Sequence, residues 1–509
     1  MRTMQEAYEA VEAYSPAEEQ FNRRRRTLGL FAAPLAFAGV MVWAAPGLSP
    51  EAHRMAAVMA LVVVLWISEA LPMAVTALLG PTLAVVLQVA PARAAYASFA
   101  DPIIFVFIGS FMLAEAMFVH GVDRRIAYSA LSWRFIGSSG TRILVVYGGV
   151  ATAISMWISN TATTAMMFPI GLAIVAHLSK GRGRATGDTR RFAMGMMLIT
   201  SFGASIGGMA TPVGTPPNLI GIGLIERIHH VHITFFQWMA IGTPVVVVLF
   251  AFLSVYFAFQ AAHGLRAGQE SALLVREELR KLGAPSVGQR NVLIAFGITV
   301  LLWVAPGLFA LAGLSGSGLA RGFAQAVPES VAAMTGALLL FVLPVSWRAR
   351  RFTLTWDEAA RIDWGIVLLY GGGLALGDLA FQTGLARALG DKVATFLPSQ
   401  SPLAFTALFT GVAIALSETT SNTAAANMIV PIAIAVASAS GANPVLPAIG
   451  ATLGASMGFM MPISTAPNAI VYSSGHVPIG QMMKHGLVLD LVAFLVIVGW
   501  LMVIGPILF

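Results

Sequence analysis

Fifteen apolar stretches follow one another along this chain, at 28–45, 54–70, 73–92, 103–120, 143–158, 162–178, 192–225, 233–262, 290–311, 329–346, 364–382, 403–417, 424–438, 445–475 and 486–508, with short polar gaps between them. One membrane crossing takes roughly 20 apolar residues as helix, so 509 residues hold about eleven crossings and no sizeable soluble domain. Charge agrees. Only 10% of the residues are charged and 57% are hydrophobic, against about 25% charged in soluble domains. The expected class is an all-α polytopic membrane protein. The net charge of +7 lies in short runs between apolar stretches, where cytoplasmic loops carry their Lys and Arg, and does not point to nucleic acid. Cysteine is absent, which excludes disulfide and thiol chemistry.

Loop charge orients the spans. Residues 179–191 carry five basic residues and one acid, and Arg124-Arg125, the linker 263–289 and "RARR" at 348–351 are also basic; 46–52, 312–328 and 438–444 carry little or no charge. The first group is expected in the cytoplasm and the second outside. The polar segment 1–27, ending in Arg23-Arg24-Arg25-Arg26, reads as a cytoplasmic lead into a first transmembrane helix rather than as a signal peptide. The C-terminus then lies on the far, periplasmic side, as in a bacterial inner membrane.

"SNTATTAMMFPI" at 159–170 and "SNTAAANMIVPI" at 421–432 each sit between two apolar arms of about 16 residues, about 24 Å as helix and short of a full crossing. Both ends of 143–178 are flanked by basic residues and both ends of 403–438 by uncharged linkers. The expectation is two re-entrant hairpins entering from opposite faces, with tips at Ser159-Asn160-Thr161 and Ser421-Asn422-Thr423. The halves match further. Asp101 and Asp363, Gly109 and Gly371, and Asn160 and Asn422 are 262 apart, and "GASIGGMATPVGTPPN" (203–218) parallels "GASMGFMMPISTAPN" (454–468) at about 250. This is the pattern of an inverted-topology repeat, common among secondary transporters. The first repeat covers 28–262, with a broken helix at 192–225; the second covers 290–509, with a broken helix at 445–475.

Ser, Asn and Thr are good helix N-caps, and Pro217 and Pro467 lie where a half-helix can restart. Four half-helix N-termini converging at mid-membrane would carry about +2 in all, a setting for a dianion. No Lys or Arg lies in either tip or break. Carbonyl and hydroxyl oxygens, with Ser155 and Ser417 one turn before the tips, offer a hard cation such as sodium its preferred donors. The residues read as a cation-coupled anion transporter with no catalytic group.

With these motifs the chain resembles, over essentially its whole length, the divalent anion/sodium symporter family, whose members carry dicarboxylates, citrate or sulfate. The resemblance implies a homodimer in membrane lipid, with scaffold domains holding transport domains that slide as elevators. Carried over, one sodium site takes Ser155, Ser159, Asn160 and the backbone of Gly214. The other takes Ser417, Thr420, Asn422 and the backbone of Ser464. The substrate meets Ser159, Asn160, Thr161 and Thr215 on one side, and Ser421, Asn422, Thr423 and Thr465 on the other. In one departure, Ala466 stands in the second break where the first has Pro216. The expected function is sodium-coupled symport of a C4-dicarboxylate such as succinate. The rivals are sulfate or citrate symport and sodium-independent dicarboxylate exchange.

Gly203-Ala204-Ser205-Ile206-Gly207 and Gly454-Ala455-Ser456-Met457-Gly458 fit the G-x-S-x-G nucleophile pattern, which would suggest an intramembrane hydrolase. They lie in apolar runs without His or Asp partners, so close helix packing is the better reading. Glu226, His229, His230 and His232 read as an outer loop rather than a metal site. Asp101 and Asp363 are expected to cap helices. Glu418, an acid inside the second hairpin, is either structural or a proton or cation site.

Overall fold

A computed structural model describes residues 16–133, 139–180, 187–261, 269–395 and 401–509. Residues 1–15, 134–138, 181–186, 262–268 and 396–400, on which parts of the topology reading rest, lie outside them.

The chain is almost entirely helical. In order come α1 (Pro16–Val42), α2 (Pro50–Ser68), α3 (Met73–Val86), the single turn α4 (Ala92–Ala95), a 3-10 turn (Ala97–Ala100), α5 (Pro102–His120), α6 (Val122–Leu131), α7 (Gly140–Ser155) and α8 (Asn160–Lys180). Next are α9 (Gly187–Gly208), α10 (Pro216–His229), α11 (Phe235–Gln260), α12 (Gln269–Lys281), α13 (Val287–Leu311), α14 (Gly318–Ala326) and α15 (Glu329–Val342). A small antiparallel hairpin follows, β1 (Pro344–Ser346) with β2 (Arg351–Phe352). The chain closes with α16 (Trp356–Ala359), α17 (Trp364–Gln382), α18 (Leu385–Thr395), α19 (Pro402–Ser417), α20 (Asn422–Ala439), α21 (Val445–Gly454), α22 (Ala466–Tyr472) and α23 (Ile479–Leu508).

Among the described residues eight helices are long and apolar enough to cross a membrane, or nine if α14 and α15, bent by 63°, count as one. The first starts earlier than its apolar run. Arg23 to Arg26 lie inside α1, where Arg25 pairs with Glu69 at 2.8 Å. Asp101 caps α5 by accepting from the Ile103 N–H at 2.9 Å, and Asp363 caps α17 by accepting from Ile366 at 3.2 Å.

The paired segments are helix–break–helix units. α7 and α8 turn at 156–159, and α19 and α20 at 418–421. Each first arm packs on the first half of the following broken helix, α7 on α9 and α19 on α21. The halves then interlock crosswise: α10 of the first copy packs on α20 of the second, and α22 of the second packs on α8 of the first.

The G-x-S-x-G segments are places of close backbone approach. A Cβ at Gly203 would stand 3.3 Å from the Gly148 carbonyl oxygen, and one at Gly454 would stand 2.7 Å from that of Thr410. Residues 148 and 410 are 262 apart, like the hairpin tips. Ser205 lies within α9, whereas Ser456 lies just past the end of α21, so the second segment is not wholly helical as expected.

Candidate functional site

The two breaks repeat one hydrogen-bond scheme. In the first hairpin the Ser155 hydroxyl donates to Asn160 Oδ1 at 2.8 Å; in the second Ser417 donates to Asn422 Oδ1, also at 2.8 Å. In the first broken helix Asn218 Nδ2 donates to the carbonyls of Gly208 (2.9 Å) and Thr211 (2.7 Å). In the second, Asn468 Nδ2 donates to those of Gly458 (3.0 Å) and Met461 (2.9 Å). Ser417 and Asn422 are 262 after their counterparts, and Asn468, Gly458 and Met461 are 250 after theirs. Chain that leaves helical geometry away from water needs such side-chain partners. Asn218 and Asn468 therefore hold the breaks open in a fixed shape. This role was missed in the sequence, although the closing Pro-Asn of both motifs was its signal. The copies are also tied to each other, since Ser201 on α9 donates to Asn468 Oδ1 at 2.5 Å.

Most of the expected site residues fall into two clusters. In the first, Ser155 is fully buried and bonded to Asn160, and Asn160 Oδ1 packs on Gly208. A Cβ at Gly214 would stand 2.9 Å from the Met156 carbonyl oxygen, so Gly214 lies against the hairpin turn. In the second, Ser417 and Ser464 are buried and Asn422 Oδ1 faces Gly458. Ser159, Asn160, Thr161, Ser421, Asn422, Thr423 and Thr465 are half-buried, whereas Thr215 is buried. Ser159 and Ser421 cap the second arms, accepting from Ala162 (3.3 Å) and Ala424 (3.2 Å). Thr215 and Thr465 precede the restarting half-helices with nearly equal backbone angles, φ −147, ψ 142 and φ −145, ψ 147. Ala466 thus leaves the conformation before it unchanged.

Thr420 stands apart. Its hydroxyl donates to the Trp66 carbonyl on α2 at 3.2 Å, away from the Ser417–Asn422 bond.

Glu418 is the one charged residue in either tip or break. Its Oε1 accepts from the N–H groups of Phe459 (2.6 Å) and Met460 (2.8 Å), and its Oε2 accepts from the Ser464 hydroxyl at 2.8 Å. In the first copy the matching N–H groups, Met209 and Ala210, bond to Ile206 and Gly207 one turn back. The second copy is one residue shorter here: Gly203 and Gly454 are 251 apart, Gly208 and Gly458 only 250. α21 accordingly ends at Gly454, four residues before the position that matches the end of α9, and Glu418 takes up the freed donors. Beside Glu418 lies Asp490 of α23, only 4% exposed. The sequence reading passed over it as part of an apolar run, though a lone acid in such a run was the signal.

Behind the first tip, Asp123 on the short helix α6 is 4% exposed. It lines a cavity of about 10 Å³ with Ile158, Ala162 and Thr163. Burial raises its carboxyl to about 6. Oδ1 of Asp123 and the Thr163 hydroxyl have no protein partner. In the loop before α11, His232 Nδ1 lies 3.0 Å from Glu226 and Nε2 3.6 Å from Glu329. Hydrogen bonding to Glu226 and then to Glu329 raises the imidazole to about 10. This histidine is thus engaged as a cation between two acids.

Comparison with known proteins agrees with this architecture. The family model described as the sodium:sulfate symporter transmembrane region matches residues 25–509. The sodium-dependent dicarboxylate transporter SdcS of Staphylococcus saprophyticus is 32% identical over 479 residues, which cover 92% of this chain and 90% of that protein. A transporter of Haemophilus influenzae is 34% identical over 454 residues, 88% and 91% of the two chains. SdcS of Staphylococcus aureus is 31% identical over 483 residues, 92% and 89%. Among solved structures, the Alcanivorax borkumensis YdaH transporter superposes with a TM-score of 0.54 at 14% identity, covering 81% of this chain and 87% of that one. Neisseria gonorrhoeae MtrF superposes with 0.55 at 11%, covering 94% of both. At these identities the structures support the fold alone.

Proposed function

The chain belongs to the sodium:sulfate symporter family of membrane transporters, and from that premise we propose that it couples sodium entry to uptake of a C4-dicarboxylate such as succinate. The observation that carries the reading is the repeated break: Ser155–Asn160 and Ser417–Asn422, each before a half-helix that restarts with no Lys or Arg within the tip or the break itself. An anion held without Lys or Arg needs helix N-termini and co-bound cations. The curated relatives named as sodium-dependent dicarboxylate transporters support that pairing.

In this reading one sodium sits among Ser155, Ser159, Asn160 and the backbone of Gly214. The other sits among Ser417, Asn422 and the backbone carbonyls of Thr420 and Ser464. The substrate carboxylates lie between the tips, on Ser159, Asn160, Thr161 and Thr215 at one end and Ser421, Asn422, Thr423 and Thr465 at the other. The buried serines are the deeper cation donors, and the half-buried tip residues are the shallower anion donors. Hairpins entering from opposite faces, an inverted repeat moving as an elevator within a homodimer, and an inner-membrane location with the N-terminus inside complete the proposal. Sodium charge offsets dianion charge, so each ligand tightens the other's binding reciprocally.

The test is uptake of labelled succinate into proteoliposomes with and without an inward sodium gradient, competed by sulfate and citrate. Sodium-driven uptake blocked only by dicarboxylates is expected. Uptake indifferent to sodium makes the protein an exchanger, and stronger competition by sulfate or citrate moves the substrate.

A further inference from the structure

Equivalent residues of the two copies sit in unlike surroundings. "PMAVTALLG" (72–80), where α3 begins, matches "PESVAAMTG" (328–336), where α15 begins, with Pro, Val, Ala and Gly in register at a spacing of 256. The two helices lie on equivalent partners: a Cβ at Gly372 of α17 would meet the backbone of Ala77, and one at Gly109 of α5 would meet that of Ala333. Met73 and Glu329, the first residues of α3 and α15, are therefore counterparts. Met73 lies on the second tip, where the Ser421 hydroxyl donates to its sulfur at 3.2 Å; the tip residues before it reach Trp66 and Arg25. Glu329 forms no hydrogen bond or ion pair with the first tip among the described residues. It faces His232 Nε2 at 3.6 Å instead, and His232 Nδ1 meets Glu226 at 3.0 Å. Next to Glu226, Arg227 Nε donates to Asp378 Oδ2 of α17 at 2.8 Å, and the Ser98 hydroxyl donates to the same oxygen at 3.1 Å. The end of α10 is thus fastened by charge to α15 and to α17.

The end of α22 has no such fastening. The spacing of 250 between Asn218 and Asn468 puts Val477 in the place of Arg227. Gly121 and Gly384, 263 apart, put Glu115 in the place of Asp378, and Glu115 Oε2 has no hydrogen-bond partner. Gly242 of α11 packs on Met209 and Ala210, and Gly486 of α23 packs on the matching Phe459 and Met460. That spacing of 244 puts His476 in the place of His232; it is exposed and forms no ion pair among the described residues.

On the loop-charge reading Arg23 to Arg26 are cytoplasmic. The second tip, whose Thr419 carbonyl accepts from Arg25 at 3.4 Å, then stands near the inner face, and α10 ends at the outer one. In an inverted repeat, the opposite orientation gives each copy the surroundings of the other. The first tip then meets the start of α15 as the second tip now meets the start of α3. To reach Ser159, Glu329 has to leave His232.

We propose that the Glu226–His232–Glu329 and Arg227–Asp378 contacts form an outer latch that holds the chain open to the cytoplasm, and that opening to the outside breaks them and carries Glu329 to the first tip at Ser159. With Met73 and Val477 at the equivalent inner positions, no matching latch favours the other orientation. The inference rests on the inverted-repeat reading of transport, and not on which anion is carried or on its coupling to sodium.

The experiment uses the full chain in lipid vesicles, where the absence of cysteine makes paired cysteines clean probes. Met73→Cys with Ser421→Cys should be linked quickly by a short bifunctional thiol reagent, and Ser159→Cys with Glu329→Cys slowly. Adding Arg227→Gln should speed the second linkage about fivefold, the effect of one partly exposed ion pair, and leave the first nearly unchanged while the present orientation still predominates. Reversing the pair, Arg227→Asp with Asp378→Arg, should bring the second rate back. Thermal unfolding checks that each chain is folded, and Asp378→Asn, for which the same gain is expected, decides if Arg227→Gln does not fold. A second linkage that never forms while the first forms readily overturns the exchange of partners. A second rate that neither Arg227→Gln nor Asp378→Asn changes overturns the latch, and failure of the first pair to link overturns the orientation on which it is built. Linkage needs no substrate, so wild-type protein that shows no sodium-driven succinate uptake refutes the proposed function and leaves the latch to be judged on these rates.

Discussion

Replacing Asp123 by asparagine should stabilise the protein above pH 6 and change nothing below pH 4. The carboxyl is buried against the flank of the first hairpin and lifted from 3.8 to about 6 by desolvation. A native value above the unfolded one means that the folded state binds the proton more tightly. Stability is then highest when Asp123 is protonated, falls as the pH rises from about 4 to about 6, and stays reduced above that. At about 1.4 kcal/mol per pH unit the penalty reaches about 3 kcal/mol. An amide has no such penalty, and its oxygen can still accept from the backbone. For a chain of this length about 3 kcal/mol corresponds to a rise in Tm of about 3 °C. The assay is thermal unfolding followed by tryptophan fluorescence in detergent, at pH 4, 6 and 8. The second copy supplies the rationale for tolerance, because Ala386 and Ala425 occupy the places of Asp123 and Thr163 and are both buried. A Tm gain equal at all three pH values, or none at pH 8, would refute the reasoning.

Asn160→Ala and Asn422→Ala should each abolish succinate uptake while leaving a folded protein, because in the proposed site each amide serves cation and anion at once; wild-type uptake from well-expressed Asn422→Ala would remove the site assignment. Single cysteines are clean probes in a chain that has none: Ser179→Cys should react with an impermeant thiol reagent only from the cytoplasm and Ser440→Cys only from outside, and labelling of both from one face would end the inverted arrangement. His232→Gln should lower stability at neutral pH by about 1 kcal/mol at most, since the pair is half-exposed and screened. With its imidazole raised from 6.5 to about 10, that contribution is whole below pH 6.5 and gone above about pH 10. A Tm difference from wild type that does not shrink across this range would show that the charge on His232 is not its source.

Local signals in the sequence located most of the frame. Pro217 and Pro467 marked where α10 and α22 restart, Asp101 and Asp363 marked two helix starts, and the repeated Ser-Asn-Thr marked the turns between α7 and α8 and between α19 and α20. What could not be read depends on contacts between distant segments. Thr420 offers a hydroxyl in the sequence, but Trp66, 354 residues earlier, takes it. Glu418 has a meaning only beside residues 41 to 46 positions later. The early end of α21 follows from a one-residue difference between the copies that an average offset conceals. α1 begins before its apolar run because arginine is a good helix former and Arg25 finds Glu69.

The two copies share their serine–asparagine bonds but differ at Met156 and Glu418, at Val246 and Asp490, and at Asp123 and Ala386. On the inverted reading, opening to one side of the membrane and opening to the other exchange the surroundings of the copies. A chain with identical copies would then sit half the time in each orientation, and only ligand gradients would give it a direction. Every unmatched side chain tips that balance, and about 1.4 kcal/mol is enough for a tenfold preference. On that reading each mismatched pair contributes to the way the empty protein faces at rest, and exchanging Asp123 and Ala386 between the copies, a pair outside the proposed ligand contacts, should shift that preference.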